Sequence, residues 1–137
     1  MQLSKQEAYA LRLGLDLAQN DAASVREIAA RQNMPAAYLG KIVQALARGG
    51  VLRTDRGARG GVRLARPAAD ITLRQVIEAA QGPIALSRCM VEANHDCPTN
   101  SLMCPVRQVT MRLQRLVTQE LDDISLADLA RMREAAA

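Results

Sequence analysis

The fold is decided by residues 24–43, which read SVREIAARQNMPAAYLGKIV. Ser24 and Glu27 form the capping-box pattern of a helix start, in which the Ser hydroxyl binds the amide three residues on and the Glu carboxylate reaches back to the cap amide. Pro35 starts the next helix, because proline lacks the amide proton that the first helical position does not use. We expect this helix to run from Pro35 to Arg48, where two glycines end it. Two short helices joined by a tight turn predict a helix-turn-helix.

The segments on either side complete a winged form of this motif. Before it, apolar residues recur at three- and four-residue spacing over residues 3–18, which predicts a first helix. After it, residues 51–65 have apolar residues at both ends and three glycines in the centre, which predicts a β-hairpin wing. A capping box formed by Thr72 and Gln75 then starts a fourth helix.

A long helix is predicted after Pro105. Its apolar residues recur at alternating three- and four-residue spacing, which is the pattern of a heptad seam. These residues are Val106, Val109, Leu113 and Leu116. Because a long helix outside a small domain has nothing of its own to cover the seam, we expect it to pair with the same helix of a second subunit. The alternative is that the helix folds back on its own domain.

The composition agrees with a mostly α fold, a winged helix-turn-helix DNA-binding domain with a long dimerisation helix. The only aromatic residues among 137 are Tyr9 and Tyr38, so aliphatic side chains must build the core. We expect the DNA-binding domain at 1–83, a cysteine-bearing loop at 84–105, and the dimerisation and C-terminal helices at 106–137. No apolar stretch approaches the length of a membrane span and no leader pattern follows Met1, so we expect a cytoplasmic protein without a membrane partner.

Charge and residue type indicate a nucleic-acid partner. Residues 1–75 carry 12 Lys or Arg against 6 Asp or Glu, and 16 of the chain's 18 basic residues are Arg, whose planar fork pairs with phosphates and guanine edges. Double-stranded operator DNA is therefore the expected partner. We expect major-groove contacts from the start of the recognition helix, minor-groove contacts from the wing, and phosphate contacts elsewhere. The major-groove candidates are Pro35, Ala36, Ala37, Tyr38 and Lys41. The minor-groove candidates on the wing are Arg56 and Arg59, and the phosphate-contact candidates are Lys5, Ser24 and Arg26. Tyr38 could also be partly core.

Three cysteines lie close together in an irregular connection. Cys89, Cys97 and Cys104 follow the spacing C-x7-C-x6-C, which suggests thiolates converging on a metal. Since no C-x2-C pair is present, an iron-sulfur cluster, 2Fe-2S or 4Fe-4S, is favoured over zinc. The fourth ligand is open, and the candidates are His95, Glu92, Asp96 and Glu7 of the partner subunit. Reactive or structural thiols are the alternative. The sequence shows no catalytic triad, paired carboxylates or phosphate loop that would indicate an enzyme.

Longer stretches resemble the IscR, NsrR and RirA group of bacterial winged-helix regulators. The resemblance spans about residues 1–121 and is most specific in the wing and the three cysteines that follow. The other stretches that carry it are MQLS at the start and residues 24–30, 35–43 and 71–77. It implies a homodimer on a partly palindromic operator and, in many members, an iron-sulfur cluster that reports iron, nitric oxide or redox state. By this resemblance, Cys89, Cys97 and Cys104 are the cluster ligands.

The chain departs from the group at a few positions. Where some members have a His three residues after the last Cys, this chain has Arg107, and where others have an acidic residue near position 8 it has Ala8 beside Glu7. The wing carries Ala58 and Arg59 where the group usually has Pro and a third consecutive Gly, which adds a charge at the tip.

From the motifs, the charge and the resemblance together, we expect a DNA-binding transcriptional regulator, a repressor, controlled by an iron-sulfur cluster. The alternatives are a cluster-free thiol sensor and, in another class, a metal-binding accessory protein or enzyme.

Overall fold

The computed structural model describes residues 2–57, 61–92 and 103–137. Within those ranges it contains six α-helices and one antiparallel pair of strands. The helices are α1 (Lys5–Gln19), α2 (Val25–Gln32), α3 (Ala36–Arg48), α4 (Leu73–Gln81), α5 (Pro105–Asp123) and α6 (Leu126–Ala136), and the strands are β1 (Leu52–Thr54) and β2 (Val62–Leu64). Short 3-10 turns cover Ala68–Asp70 and Arg88–Met90. The expected mostly α, winged helix-turn-helix fold is confirmed.

The capping residues set the helix boundaries. Thr72 and Gln75 form both hydrogen bonds of the predicted box at the start of α4. At the start of α2, Ser24 accepts from the Glu27 amide at 3.1 Å, but the exposed Glu27 carboxylate does not return the bond, so the box predicted there is half formed. Pro35 is the N-cap of α3 rather than its first helical residue, because its ψ of 124° is extended.

One hydrophobic core joins the helix-turn-helix, α4 and the wing. Leu13 of α1, Ile28 of α2 and Leu46 of α3 have no exposed surface in it. Leu126 of α6 is equally buried in the same core, and its amide donates to the Ile71 carbonyl at 2.9 Å. The core therefore continues past residue 106, where the sequence-based division places the start of a separate unit.

Helix α5 differs from the others because none of its 19 residues is buried. The predicted seam is uncovered: Val106, Val109, Leu113 and Leu116 are 72%, 55%, 41% and 68% exposed. Within the described ranges, this chain does not fold back over them. No described helix is both long and apolar enough to cross a lipid bilayer.

Candidate nucleic-acid interface and cysteine site

Asp16 of α1 fixes the position of α2, and hence of α3. Its carboxylate is 2% exposed and accepts hydrogen bonds from Arg31 at 2.6 and 3.1 Å and from Gln32 at 2.9 Å. Burial raises the pKa of Asp16, but the hydrogen bonds from Arg31 and Gln32 and the positive charges of Arg31 and Arg133 together outweigh burial and hold the pKa below its usual value. Asn33 then ends α2 in the left-handed conformation, with φ 53°, so the chain turns into α3 without a long loop.

The first turn of α3 is open to solvent on the side away from the core. Leu39 and Ile42 are buried, and Tyr38 is half-buried and packs against the core. The exposed residues around it are Pro35, Ala36, Ala37 and Lys41. A surface of small residues and one cation at the start of a recognition helix can approach base edges in a major groove.

An aromatic contact joins α3 to the start of α1. The rings of Tyr9 and Tyr38 meet edge to face, with centroids 5.6 Å apart and an interplanar angle of 72°. The Lys5 ammonium lies over the Tyr9 ring, 5.5 Å from its centroid. Two predicted DNA contacts, Lys5 and Tyr38, are thus linked by Tyr9, a residue that no sequence motif singles out. The available signal was that these two tyrosines are the chain's only aromatic residues.

The wing is attached to the linker between α1 and α2. Ala23 and Val62 exchange backbone hydrogen bonds of 3.1 and 2.8 Å. A Cβ on Gly61 would lie 2.8 Å from the Ala23 carbonyl oxygen, so glycine is required for this approach. The wing therefore lies beside Ser24, the N-cap of α2. Arg26, two residues after Ser24, is exposed and forms no ion pair with any described residue.

Wing arginines fall into two groups. Asp55 pairs with Arg63 at 2.9 Å and contacts Arg53 at 3.6 Å, so these two are partly neutralised. Arg56 is exposed and makes no ion pair within the described ranges. Arg59, predicted at the tip, lies outside the described residues.

The two described cysteines flank the connection between α4 and α5. Cys89 lies in the 3-10 turn Arg88–Met90, Cys104 is the N-cap of α5, both are half-buried, and no disulfide joins them. The Cys89 Sγ lies 3.0 Å from the Ser87 Oγ. Cys97 and His95 lie outside the described residues, and the parts that are described hold no group of three or more potential metal-binding side chains.

Arg107 provides a test of whether a cluster would fit between these cysteines. It lies one turn after Cys104, and its Nε is buried with no hydrogen-bond partner in the described part of the chain. It lines an open groove of about 330 Å³ together with Met90, the residue after Cys89. A buried N–H without an acceptor is rare in native proteins. The groove wall includes Met90, next to Cys89, and Arg107, three residues after Cys104, and an unsatisfied cationic donor there suits an anionic group.

Gln114 ties the cysteine connection to the middle of α5. Its side-chain amide accepts from the Leu86 N–H at 3.0 Å and donates to the Ile84 carbonyl. Leu86 is three residues before Cys89, so a displacement of this segment would act directly on α5.

Glu7, the ligand candidate from the partner subunit, is engaged in its own helix. Its carboxylate accepts from the Ser4 N–H at 2.6 Å, as part of the capping box that starts α1. It also lines a groove of about 760 Å³ whose other walls include Val91 and, on α5, Val117.

The architecture and sequence match known proteins. Residues 3–132 match the Rrf2 family, described as an iron-dependent transcriptional regulator. The chain is 30% identical over 132 residues to the HTH-type transcriptional regulator NsrR of Geobacillus kaustophilus (strain HTA426), covering 94% of this chain and 89% of that protein. Among solved structures, T. potens IscR has a TM-score of 0.79 at 26% identity, covering 99% and 90% of the two chains. CymR, the global cysteine regulator of B. subtilis, has a TM-score of 0.78 at 26% identity, covering 96% and 98%. The chain belongs to the Rrf2 family of transcriptional regulators.

Proposed function

We propose that this regulator is a homodimer that binds a partly palindromic duplex operator and represses transcription from it. Its operator affinity is set by an iron-sulfur cluster on Cys89, Cys97 and Cys104, with the fourth ligand drawn from His95 or the partner subunit's Glu7. The observation that carries the proposal is a set of exposed cations on α1, α2, α3 and the wing that form no ion pair with any described residue.

That set forms the DNA-binding surface. Each member is exposed and forms no ion pair with a residue that the structure describes. The members are Lys5, Arg26, Lys41 and Arg56. The contact between Tyr9 and Tyr38 links the first to α3, and the hydrogen bonds between Ala23 and Val62 hold the wing beside α2. Cations without internal partners gain most from DNA phosphates, because binding releases condensed counterions.

The uncovered seam of α5 supports the homodimer. Leaving large apolar side chains such as Leu116 in water is costly, and a second copy of the seam would cover them. Charge along α5 is segregated, with basic residues in its first two thirds and acidic residues at its end. These are Arg107, Arg112 and Arg115, then Glu120, Asp122 and Asp123. Two antiparallel α5 helices would place the basic part of one opposite the acidic part of the other.

The cysteine connection supports control by a cluster. Cys89, Cys97 and Cys104 would hold the cluster, which supplies chemistry sensitive to redox state and nitric oxide. The buried Nε of Arg107 would donate to it, and Ser87 can donate its hydroxyl proton to the Cys89 sulfur. Gln114 transmits the position of this segment to α5, and hence to the spacing of the two recognition helices. A coupling of about 1–3 kcal/mol changes operator affinity by 5-fold to 150-fold.

DNA binding is tested with protein purified without oxygen and a library of random-sequence duplexes. We expect selection of inverted repeats whose half-site centres lie about one helical turn, or a multiple of it, apart. Arg56→Gln should reduce the slope of log affinity against log salt by about 1. The control is Arg131→Gln on α6, an arginine already paired with Asp128, which should leave the slope unchanged. Absence of binding at low salt would contradict the proposal.

The cluster is tested by visible absorption and by iron and sulfide content. Each of Cys89→Ser, Cys97→Ser and Cys104→Ser should remove the colour, whereas Met90→Leu, beside the first cysteine, should keep it. Treatment with nitric oxide should then weaken operator binding by the coloured protein. Colourless, iron-free wild-type protein refutes the cluster, and equal affinity before and after treatment refutes its control of binding.

A cluster-free thiol sensor is the second candidate. The half-buried Cys89 sulfur in contact with Ser87, together with the structural similarity to the cysteine regulator CymR, favours it. In that case the colourless protein would lose operator affinity on treatment with peroxide and regain it with dithiothreitol.

A further inference from the structure

Tyr9 lies between Lys5 of the DNA-binding surface and Tyr38, a predicted groove contact, and is itself not a member of that surface. It is half-buried and packs against the core, whereas Lys5 is exposed and Tyr38 lies in the first turn of the recognition helix. Its ring and that of Tyr38 meet edge to face with centroids 5.6 Å apart, and the Lys5 ammonium lies over the Tyr9 ring at 5.5 Å from its centroid. Both contacts use the quadrupole of an aromatic ring, which attracts cations over its face and the positive edge of a second ring.

The backbone beneath Lys5 is held firmly. The Ser4 hydroxyl donates to the Gln81 side-chain oxygen at 2.5 Å, and the Gln6 side-chain Nε2 donates to the Ala80 carbonyl at 2.5 Å. The start of α1 is therefore fixed on the end of α4. What remains free at Lys5 is its long side chain, and Tyr9 is the group that restricts it.

The position of Lys5 indicates the class of its partner. It is the first residue of α1, where the positive end of the helix dipole disfavours a cation and favours an anion. It forms no ion pair with any residue in the described ranges. The capping box already supplies the Glu7 carboxylate to this helix end, so a DNA phosphate beside Lys5 would pair with the ammonium.

We propose that Tyr9 is a positioning residue of the DNA interface, whose ring holds Lys5 toward a backbone phosphate and Tyr38 toward the groove as one unit. The proposal rests on the proposed DNA-binding function. Restricting a lysine side chain before binding reduces the conformational entropy lost when it contacts a phosphate. Tyr9 therefore increases the contribution of Lys5 to affinity without touching DNA.

The test is a double-mutant cycle on affinity for a random-sequence 30-base-pair duplex, measured against salt. Lys5→Gln should weaken binding about threefold to tenfold and lower the salt slope by about 0.9. Tyr9→Leu should have nearly the same effect, and the two changes together should add little more. Tyr9→Phe should behave as wild type, because a phenyl ring keeps both contacts. Circular dichroism establishes that each variant is folded.

Lys41→Gln is the matched control, because Lys41 carries a cation on the same surface without an aromatic partner. Its effect should be the same in the wild-type and Tyr9→Leu backgrounds. If Lys5→Gln is also fully additive with Tyr9→Leu, or if Tyr9→Phe binds as weakly as Tyr9→Leu, the positioning role is refuted.

Fluorescence gives an independent measurement, because the chain has no Trp and only two Tyr residues. In the Tyr9→Phe variant all tyrosine emission comes from Tyr38, and it should be quenched when the duplex is added. Unchanged emission at saturating duplex refutes the placement of Tyr38 at the groove. Failure of the wild-type protein to bind any duplex at low salt would instead refute the proposed function itself.

Discussion

Replacing Arg31 with Met would leave the buried carboxylate of Asp16 without its cationic partner. Removing one side of a buried ion pair costs about 3–5 kcal/mol. For Arg31→Met we expect a smaller loss of about 2 kcal/mol in the free energy of unfolding, for two reasons. Water screens the ion pair, because the Arg31 side chain is 39% exposed. Gln32 also continues to donate a hydrogen bond to the carboxylate. The loss should lower the free energy of unfolding of the whole domain, since Asp16 joins α1 to α2.

The cost should also depend on pH in a definite direction. In the wild type the folded-state pKa of Asp16 is lowered, so its stabilisation is complete above the ordinary carboxyl pKa and is lost as pH falls through the folded pKa. In the Arg31→Met variant burial dominates and raises that pKa, so the penalty is largest at neutral pH and is relieved on acidification. The difference between the two proteins should therefore shrink as pH falls.

The assay is urea unfolding, monitored by circular dichroism at pH 7 and at about pH 4.5, with protein concentration held fixed because the stability of the proposed homodimer depends on it. Arg12→Met is the control, since Arg12 lies exposed on α1 and forms no ion pair with a described residue. A difference of equal size at both pH values, or one no larger than that of the control, would show that the reasoning about Asp16 is wrong.

Three further predictions concern the wing, the dimer and the connection. Gly61→Ala would put a Cβ against the Ala23 carbonyl and should lower the free energy of unfolding by about 1–3 kcal/mol. The control is Gly40→Ala, whose Cβ meets open space and should not lower the free energy of unfolding. Equal urea midpoints for the two variants would refute the prediction. Leu116→Asp should yield a folded monomer by size exclusion with light scattering, and a persistent dimer would exclude α5 as the interface. In the Gln114→Glu variant the side chain can still accept the hydrogen bond from Leu86 but cannot donate one to Ile84. The effect of cluster loss on operator affinity should therefore be smaller than in the wild type, with little change in melting temperature. An effect of cluster loss as large as in the wild type would show that Gln114 does not couple the cysteine connection to α5.

Features that depend on neighbouring residues were predictable from the sequence. The box of Thr72 and Gln75 formed as expected, because its two hydrogen bonds span three residues and need only a helix start. The same rule predicted a complete capping box at Ser24. Only one of its two hydrogen bonds forms there, since the exposed carboxylate of Glu27 does not bond back to the cap amide. The α5 seam was also predictable from the sequence, because a heptad pattern indicates which residues share a helix face before any partner is known.

Contacts between residues that are far apart in the sequence could not be predicted from local sequence patterns. Asp16 is 15 residues from Arg31, and Gln114 is 28 residues from Leu86, so no spacing rule connects them. Tyr9 gave a compositional signal, as one of two aromatic residues, but nothing in the sequence indicated that its ring meets Tyr38.

The sequence by itself determined the order of the helices and the wing, which faces are apolar, where the basic charge lies, and which thiols are near each other along the chain. Only the tertiary structure decided that α6 joins the core while α5 stays uncovered, that the wing docks on Ala23, and that Lys5 stands over an aromatic ring. The physical reason is that capping and amphipathic periodicity act over a few residues, whereas buried pairing depends on how complete helices pack against one another.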